Sequence, residues 1–326
     1  MFLWWNHPGK KGDSTIFIPL NQHGCLYCLC YFSGTMQKRQ NPVFIDLLLD
    51  FAFKRMFGRE TNKDILIDLL NTFIPGKNIV DIIFLNNERT GKTKDSRNAV
   101  FDLFCITSSG EYIIIEVQRA AQEYLQTRGL FYVANAITDQ SEKGKEFDFN
   151  CRETWFFCIT DFIFDPDHEN VIVHTIKSIE LETGNFCHNL LNSIYLELPK
   201  FKKQITELET RQDKWLFILK NISSLKEIPL NLKGDQIFEK VFEVARVTNL
   251  TKKEMNAHWL AWKDRCDHIN MLNYAKKKGK EEGEKRSQLS IAAKMLHKNI
   301  KTSIIQELTG LSEKDILALR NRLKIA

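Results

Sequence analysis

Before Asn41 the apolar and polar positions of the chain follow neither a helical nor a strand period; from Asn41 onward they do. In NPVFIDLLLDFAFKRMFG, Phe44, Leu47, Leu48 and Phe51 recur at three- and four-residue spacing, which predicts a helix ended by Gly58 with Lys54 and Arg55 in its last turn. A second helix follows, capped near Thr61 or Asn62, with Ile65, Leu66, Leu69, Leu70 and Phe73 on its apolar face and Pro75-Gly76 as its stop. Ile79 to Leu85 reads as a short strand.

The clearest pattern lies between Arg97 and Ala120. Two apolar, β-branched arms flank Ser108, Ser109 and Gly110, which predicts a hairpin with the positive-φ position in the turn. Pairing symmetric about Ser109 sets Thr107 opposite Glu111, Leu103 opposite Ile115 and Asp102 opposite Glu116. Residues so placed have β-carbons about 4.5 to 5.5 Å apart on one face. Gln118, two residues beyond Glu116, shares that face, and Val117 points to the other.

A helix is predicted after Gln118, in which Tyr124, Arg128 and Tyr132 share one face at four-residue spacing. Arg152 to Phe164 is a near-continuous apolar strand, the pattern of burial on both faces, and Val171 to Ile176 is another. Together these elements predict an α/β fold, a mixed central sheet with helices packed against it. Beyond Pro199 the pattern is helical, over Phe201 to Leu219, Asp235 to Asn249 and Lys252 to Tyr274. AKKKGKEEGEKRSQ then reads as a solvated helix or linker, followed by a short amphipathic helix from Leu289 to Leu296. Two final short helices meet at Thr309-Gly310-Leu311 with Ser312 as a cap, in helix-turn-helix proportions.

Composition changes this picture little. With 43% apolar residues in 326, a sizeable core is affordable and most of the chain is expected to be ordered. A net charge of +5 is compatible with a nucleic-acid partner and common among proteins without one. The eight cysteines are scattered, several inside apolar runs, which fits reduced thiols in the cytoplasm better than a disulfide framework. No stretch reaches the roughly 18 to 20 apolar residues of a membrane span. Residues 1–40 do not form a convincing signal peptide, and Met36 is a plausible effective start. Cys25, Cys28 and Cys30 have thiolate spacing for zinc, but a fourth ligand has no obvious place, although His7 and His23 are present.

The hairpin carries the candidate chemistry. Three polar residues on one side of a sheet are also what a solvated face looks like. Here, however, Glu116 ends YIIIEV, apolar on both faces, and Asp102 sits among Val100, Phe101, Leu103 and Phe104, where an unpaired carboxylate is costly to bury. Facing carboxylates in apolar surroundings suit a hard divalent cation, which takes one or two protein carboxylates and completes its shell with water and substrate phosphate. Such an ion polarises a phosphoryl oxygen and lowers the pKa of an attacking water.

Asp102 followed by Glu116-Val117-Gln118 resembles the PD-(D/E)XK restriction-endonuclease core in the variant where Gln replaces the lysine. Around it, NPVFIDLLLDFAFKRMFG, ILIDLLNTFI, FLNNE, FDLFCITSSGEYIIIEVQ and RGLFY, in that order, are similar to the recombination-promoting nuclease and transposase-like proteins of bacteria. The likeness spans Asn41 to Lys220, and TGLS near the C-terminus also resembles that family's tail. It implies a Mg²⁺-dependent DNA endonuclease, with Mn²⁺ or Ca²⁺ as alternative ions. Asp102 and Glu116 are then the metal ligands, and Gln118 holds the water or phosphate without the lysine's charge. Lys54 supplies that charge from the first helix or is a solvated helix-end cation. Asp50 joins the metal or is a surface acid. Arg128 and Tyr132 face the scissile phosphate or are structural, and Glu88 is a further candidate.

The implied organisation is an irregular extension over 1–40, a nuclease-like domain over 41–220, a helical segment over 221–275, and a basic linker with a small helical tail over 276–326. The expected partner is DNA, with no membrane, and the C-terminal helices leave room for a homo-oligomer. A catalytically inactive DNA-binding or protein-interaction module on the same fold is the rival reading.

Overall fold

The computed structural model describes residues 42–86, 88–89, 99–140 and 150–323. The N-terminal extension with its cysteines and Met36 lies outside them, as does most of the connector between Asn86 and Arg97. In chain order the described elements are α1 (Asp50–Phe57), α2 (Lys63–Phe73), β1 (Ile82–Phe84), β2 (Glu88–Arg89), β3 (Ala99–Val100), β4 (Leu103–Thr107), β5 (Tyr112–Gln118), α3 (Leu125–Asp139), β6 (Thr154–Thr160), β7 (Val173–Lys177), β8 (Leu191–Glu197), α4 (Arg211–Asn221), α5 (Gln236–Ala245), α6 (Lys252–His297), α7 (Thr302–Thr309) and α8 (Glu313–Leu323).

Six strands form one mixed sheet in the order β1-β4-β5-β6-β8-β7. The β5, β6 and β8 strands run parallel, so their C-terminal ends, at Gln118, Thr160 and Glu197, lie along one edge of the sheet. Strand alternation divides the core. Ile113 and Ile115 pack with Phe157, Ile194, Phe53, Leu69, Trp215 and Phe242 beneath α1, α2, α4 and α5. Ile114, between them, points the other way, to Phe104, Phe156 and Tyr195 beneath Leu125, Val133 and Ala136 of α3. Every residue of β6 is buried, as its continuous apolar run predicts.

The α3 helix lies close on the sheet because Gly129 lets it. A β-carbon there would come within 2.7 Å of the Phe156 ring and 2.8 Å of the Tyr195 hydroxyl oxygen. That contact sets the height at which Arg128, the preceding residue, stands above β5 and β6.

Four predicted elements come out differently. The helix expected over Phe201 to Leu219 forms only from Arg211 to Asn221. The first helix begins only at Asp50; Phe44, Ile45, Leu47, Leu48 and Leu49 are buried without being helical. Ile45 N–H donates to Ala245 O, Val247 N–H donates to Val43 O, and Asp46 Oδ1 takes the Leu48 N–H, so this run is a strap under α5. An apolar run buried on all sides satisfies a helical spacing by chance. The first strand shrinks to Ile82–Phe84, since Asn71 accepts the Ile79 N–H and donates to Ile79 O from α2. The last helices merge: α6 is one helix from Lys252 to His297, started by a Thr251/Glu254 capping box. It packs on the core at its start and on α7 and α8 at its end, and every residue from 271 to 287 between is exposed. No helix among the described residues is long and apolar enough to cross a membrane.

Candidate active site

The hairpin forms in the predicted register: Leu103 faces Ile115 and Ile106 faces Tyr112, with Gly110 at φ 95° in the turn. Asp102 lies one residue before β4, opposite Glu116. The two are interlocked through the backbone. Asp102 N–H donates to Glu116 Oε1 at 3.3 Å, and Val117 N–H donates to Asp102 Oδ2 at 2.7 Å. Each acid is therefore held by the strand that carries the other.

Burial perturbs both acids, and a neighbouring carboxylate adds to the shift of each: Asp102 for Glu116, Asp50 for Asp102. Glu116 is only 4% exposed. Burial and the charge of Asp102 push its carboxyl up to about 8, against the opposing pull of Arg128, the Asp102 N–H and the Gln118 amide. Burial also raises the Asp102 carboxyl, opposed by the Val117 N–H; Asp50 adds to the rise, and Lys54 and Arg128 resist it. Among the described residues no third His, Cys, Asp or Glu completes a metal cluster with the pair. Two hard oxygen donors with strained ionisation and, among the described residues, no ion-paired Lys or Arg are a fitting seat for a cation that brings its own waters.

From Glu116 a chain of polar contacts runs to α3. Gln118 Nε2 donates to Glu116 Oε2 at 2.9 Å, and Gln122 Nε2 donates to Gln118 Oε1 at 3.2 Å. Arg128 Nη1 donates to Gln122 Oε1. The Nε and Nη2 atoms of Arg128 are buried with no hydrogen-bond partner among the described residues. A guanidinium so placed has donors left for a phosphate. Its carbon stands 5.9 Å from the centre of the Tyr132 ring, which packs edge-on against Phe101. Burial, then the Glu116 charge, raise the Tyr132 hydroxyl above its ordinary pKa.

Asp50 and Lys54 stand at the mouth of this site. Lys54 Nζ pairs with Asp50 Oδ1 at 2.6 Å, and both remain substantially exposed. Lys54 and Asp102 line a cavity of about 250 Å³ together with Gly58, Phe84, Leu85, Leu103 and Phe104. The sequence-predicted residues Asp102, Glu116, Gln118, Arg128 and Tyr132 thus come together, with Asp50 and Lys54 beside Asp102. Tyr124 does not join them, being 67% exposed ahead of α3. The Glu88 side chain lies outside the described residues. Gln122 was not foreseen; its only sign in the sequence is its position four residues after Gln118.

A family model for PD-(D/E)XK nuclease family transposases matches residues 47–275, more than two thirds of the chain. The chain belongs to this family. The match runs past Lys220, where the motif resemblance ended, and takes in α5 and the first half of α6, in keeping with Phe238, Val241 and Phe242 lying in the main core. Membership of the PD-(D/E)XK transposases makes nuclease-type chemistry on DNA the expectation for the interlocked carboxylates. No curated protein and no solved structure matches the chain.

Proposed function

We propose that the protein is a metal-dependent DNA endonuclease that hydrolyses phosphodiester bonds, working in the bacterial cytoplasm in recombination or mobile-element movement. The observation that carries this reading is the Asp102 and Glu116 pair, held across the hairpin with Glu116 pushed up to about 8 by burial and by its neighbour. Asp102 and Glu116 would hold Mg²⁺, with Mn²⁺ or Ca²⁺ as alternatives. When bound, the ion supplies Lewis acidity at a phosphoryl oxygen and acidifies a water.

The remaining roles belong to the chain's own side chains. Gln118, its amide oriented by Glu116 and Gln122, positions a water by hydrogen bonding without adding charge. Arg128 offers Nε and Nη2 to phosphate oxygens from the α3 side. Lys54, at the cavity beside Asp102, supplies positive charge from the opposite side once it exchanges Asp50 for phosphate. Tyr132 lies beside the Arg128 guanidinium, its ring centre 5.9 Å from the guanidinium carbon.

The test is supercoiled plasmid incubated with the purified protein and Mg²⁺, Mn²⁺ or Ca²⁺, beside Asp102→Ala and Glu116→Ala. Nicking or linearisation by the wild type that both variants lose supports the reading. Equal activity in all three removes the site assignment, and duplex retention without cutting by the wild type favours an inactive binding module.

A further inference from the structure

The last fifty-one residues are built separately from the nuclease site, and their chemistry points to a partner. Residues 276–326 carry thirteen Lys and Arg against six Asp and Glu, a net +7, and the remaining 275 residues carry −2. The whole positive balance of the chain is therefore in the tail. The family match stops at residue 275, before it begins.

The tail has a core of its own. Ala292 and Leu296 from the end of α6, Ile305 from α7, Leu311 from the turn and Ile316 from α8 are buried together. Three residues, Gly310, Leu311 and Ser312, join α7 to α8. Gly310 takes the left-handed conformation at φ 69°, which a side chain would strain, and Ser312 caps α8 by accepting the Asp315 N–H at 3.2 Å. Thr309 Oγ1 accepts the Leu311 N–H at 3.3 Å, closing the turn. This fixes a helix-turn-helix with the last turns of α6 as its third helix.

Its fold turns one face of α8 inward through Ile316, Leu319 and Leu323 and leaves the other bare. Lys314, Leu317, Ala318, Asn321 and Arg322 are all exposed and recur at three- and four-residue spacing. No carboxylate interrupts that row. The two acids of α8, Glu313 and Asp315, sit in the first turn, and Asp315 is held by the Ser312 hydroxyl. Asn reads adenine and Lys reads guanine in the major groove, Ala and Leu meet thymine methyl groups, and Arg meets phosphate. The bare stretch of α6 from 271 to 287 carries this unit about 25 Å beyond the helix's last packed turn on the nuclease core, at 1.5 Å per residue.

We propose that the tail is a sequence-reading DNA module, with α8 in the major groove and Lys314 and Asn321 on base edges, so that the nuclease cuts at a distance set by α6. The inference rests on the nuclease reading for the class of partner and on the tail's own residues for the mode of contact.

The experiment is selection of bound duplexes from a random pool by the full-length protein in EDTA, so that the outcome does not depend on cleavage. An enriched short sequence, bound about tenfold or more weakly by both Lys314→Ala and Asn321→Ala than by wild type, is the expected result. Thermal melting of each variant checks that the exposed substitutions leave the fold intact. No enrichment, enrichment that survives both substitutions, or protection of the α8 outer face by a second copy of the chain instead of duplex overturns the proposal. Active plasmid cleavage without enrichment would defeat this inference alone, and enrichment without cleavage would defeat the nuclease reading alone.

Discussion

Arg119, the residue after Gln118, and Arg265, on α6, grip the same carboxylate, Asp46. Arg119 Nη2 lies 3.0 Å from Asp46 Oδ2 and 3.3 Å from Asp161 Oδ2, and Arg265 Nη1 bonds the same Asp46 oxygen. The strap before α1, the ends of β5 and β6, and α6 are thereby tied together next to the candidate site. Replacing Asp46 by Ala leaves Arg119 and Arg265 to share Asp161 Oδ2, at 3.3 and 3.9 Å, and is expected to cost about 1 to 3 kcal/mol. Arg265→Ala should cost less, since Arg119 keeps both carboxylates. Denaturant melts check the order, and plasmid nicking should fall with both variants because the end of β5 that presents Gln118 loses its anchor.

Gly129→Ala tests the seating of α3. The added methyl meets the Phe156 ring and the Tyr195 hydroxyl below van der Waals distance, so α3 must lift or the core must shift. Overpacking of this kind costs about 1 to 3 kcal/mol. Nicking should fall further than the melting temperature implies, because the lift carries Arg128 away from Glu116. An unchanged cleavage rate in a destabilised protein would mean that the height of Arg128 is unimportant.

Glu116 makes the metal-free protein sensitive to alkali. Its folded carboxyl titrates at about 8, above the 4.5 of an unperturbed glutamate, so the folded state holds its proton while the unfolded state has lost it. That contribution to stability is complete below about pH 4.5 and is lost as pH rises through about 8. Glu116→Gln should therefore raise the melting temperature in EDTA at pH 8, by roughly 3 °C or more, and leave it little changed at pH 5. Millimolar Mg²⁺ or Mn²⁺ should stabilise the wild type at pH 8 and not Glu116→Gln. Differential scanning calorimetry at the two pH values checks both signs.

Glu254 behaves in the opposite sense. Burial alone would raise its carboxyl, but the Thr251 N–H, Arg59 and Arg55 hold it down at about 2. The stability it contributes is present above about pH 4.5 and is lost as pH falls toward 2. Glu254→Gln should remove on the order of 2 kcal/mol at pH 7 and flatten the acid limb of the stability curve. Urea melts between pH 2.5 and 7 make the comparison.

What the sequence disclosed follows from where one physical signal dominates. The hairpin register was legible because a Ser-Ser-Gly turn between two apolar arms centres the pairing on Ser109, and that register alone placed Asp102 against Glu116. The β8 strand has no counterpart among the predicted elements, although it lies inside the sheet between β6 and β7. Asn192 and Ser193 break its apolar run, and Asn192 is 1% exposed because its amide bonds Asn189 O at 2.6 Å, a tertiary arrangement that no local pattern encodes. The unbroken α6 was hidden for the reverse reason. Where every face meets solvent, no apolar stripe marks a helix. Gln122 joins the site through the loop that leads from β5 into α3, where the chain has no regular period.

Gln118 is the residue at which the resemblance and the chemistry diverge, and substitution there separates its roles. Its amide donates to Glu116 Oε2 at 2.9 Å and accepts from Gln122, so it is a neutral bridge in a site whose cations, Arg128 and Lys54, stand further out. Gln118→Met keeps the length of the side chain and removes both bonds, leaving Glu116 less compensated; nicking should be lost and the metal-free protein destabilised at pH 8. Gln118→Lys restores the lysine of the commoner motif. An ammonium beside Glu116 favours the ionised carboxylate, so the alkaline loss of stability should shrink and the pH optimum for nicking should move down. Retained cleavage with that shift would show that the site needs a polar bridge at this position and tolerates charge. Lost cleavage with the same stability gain would show that the neutral amide itself is required, because a lysine paired to Glu116 competes with the metal for its carboxylate.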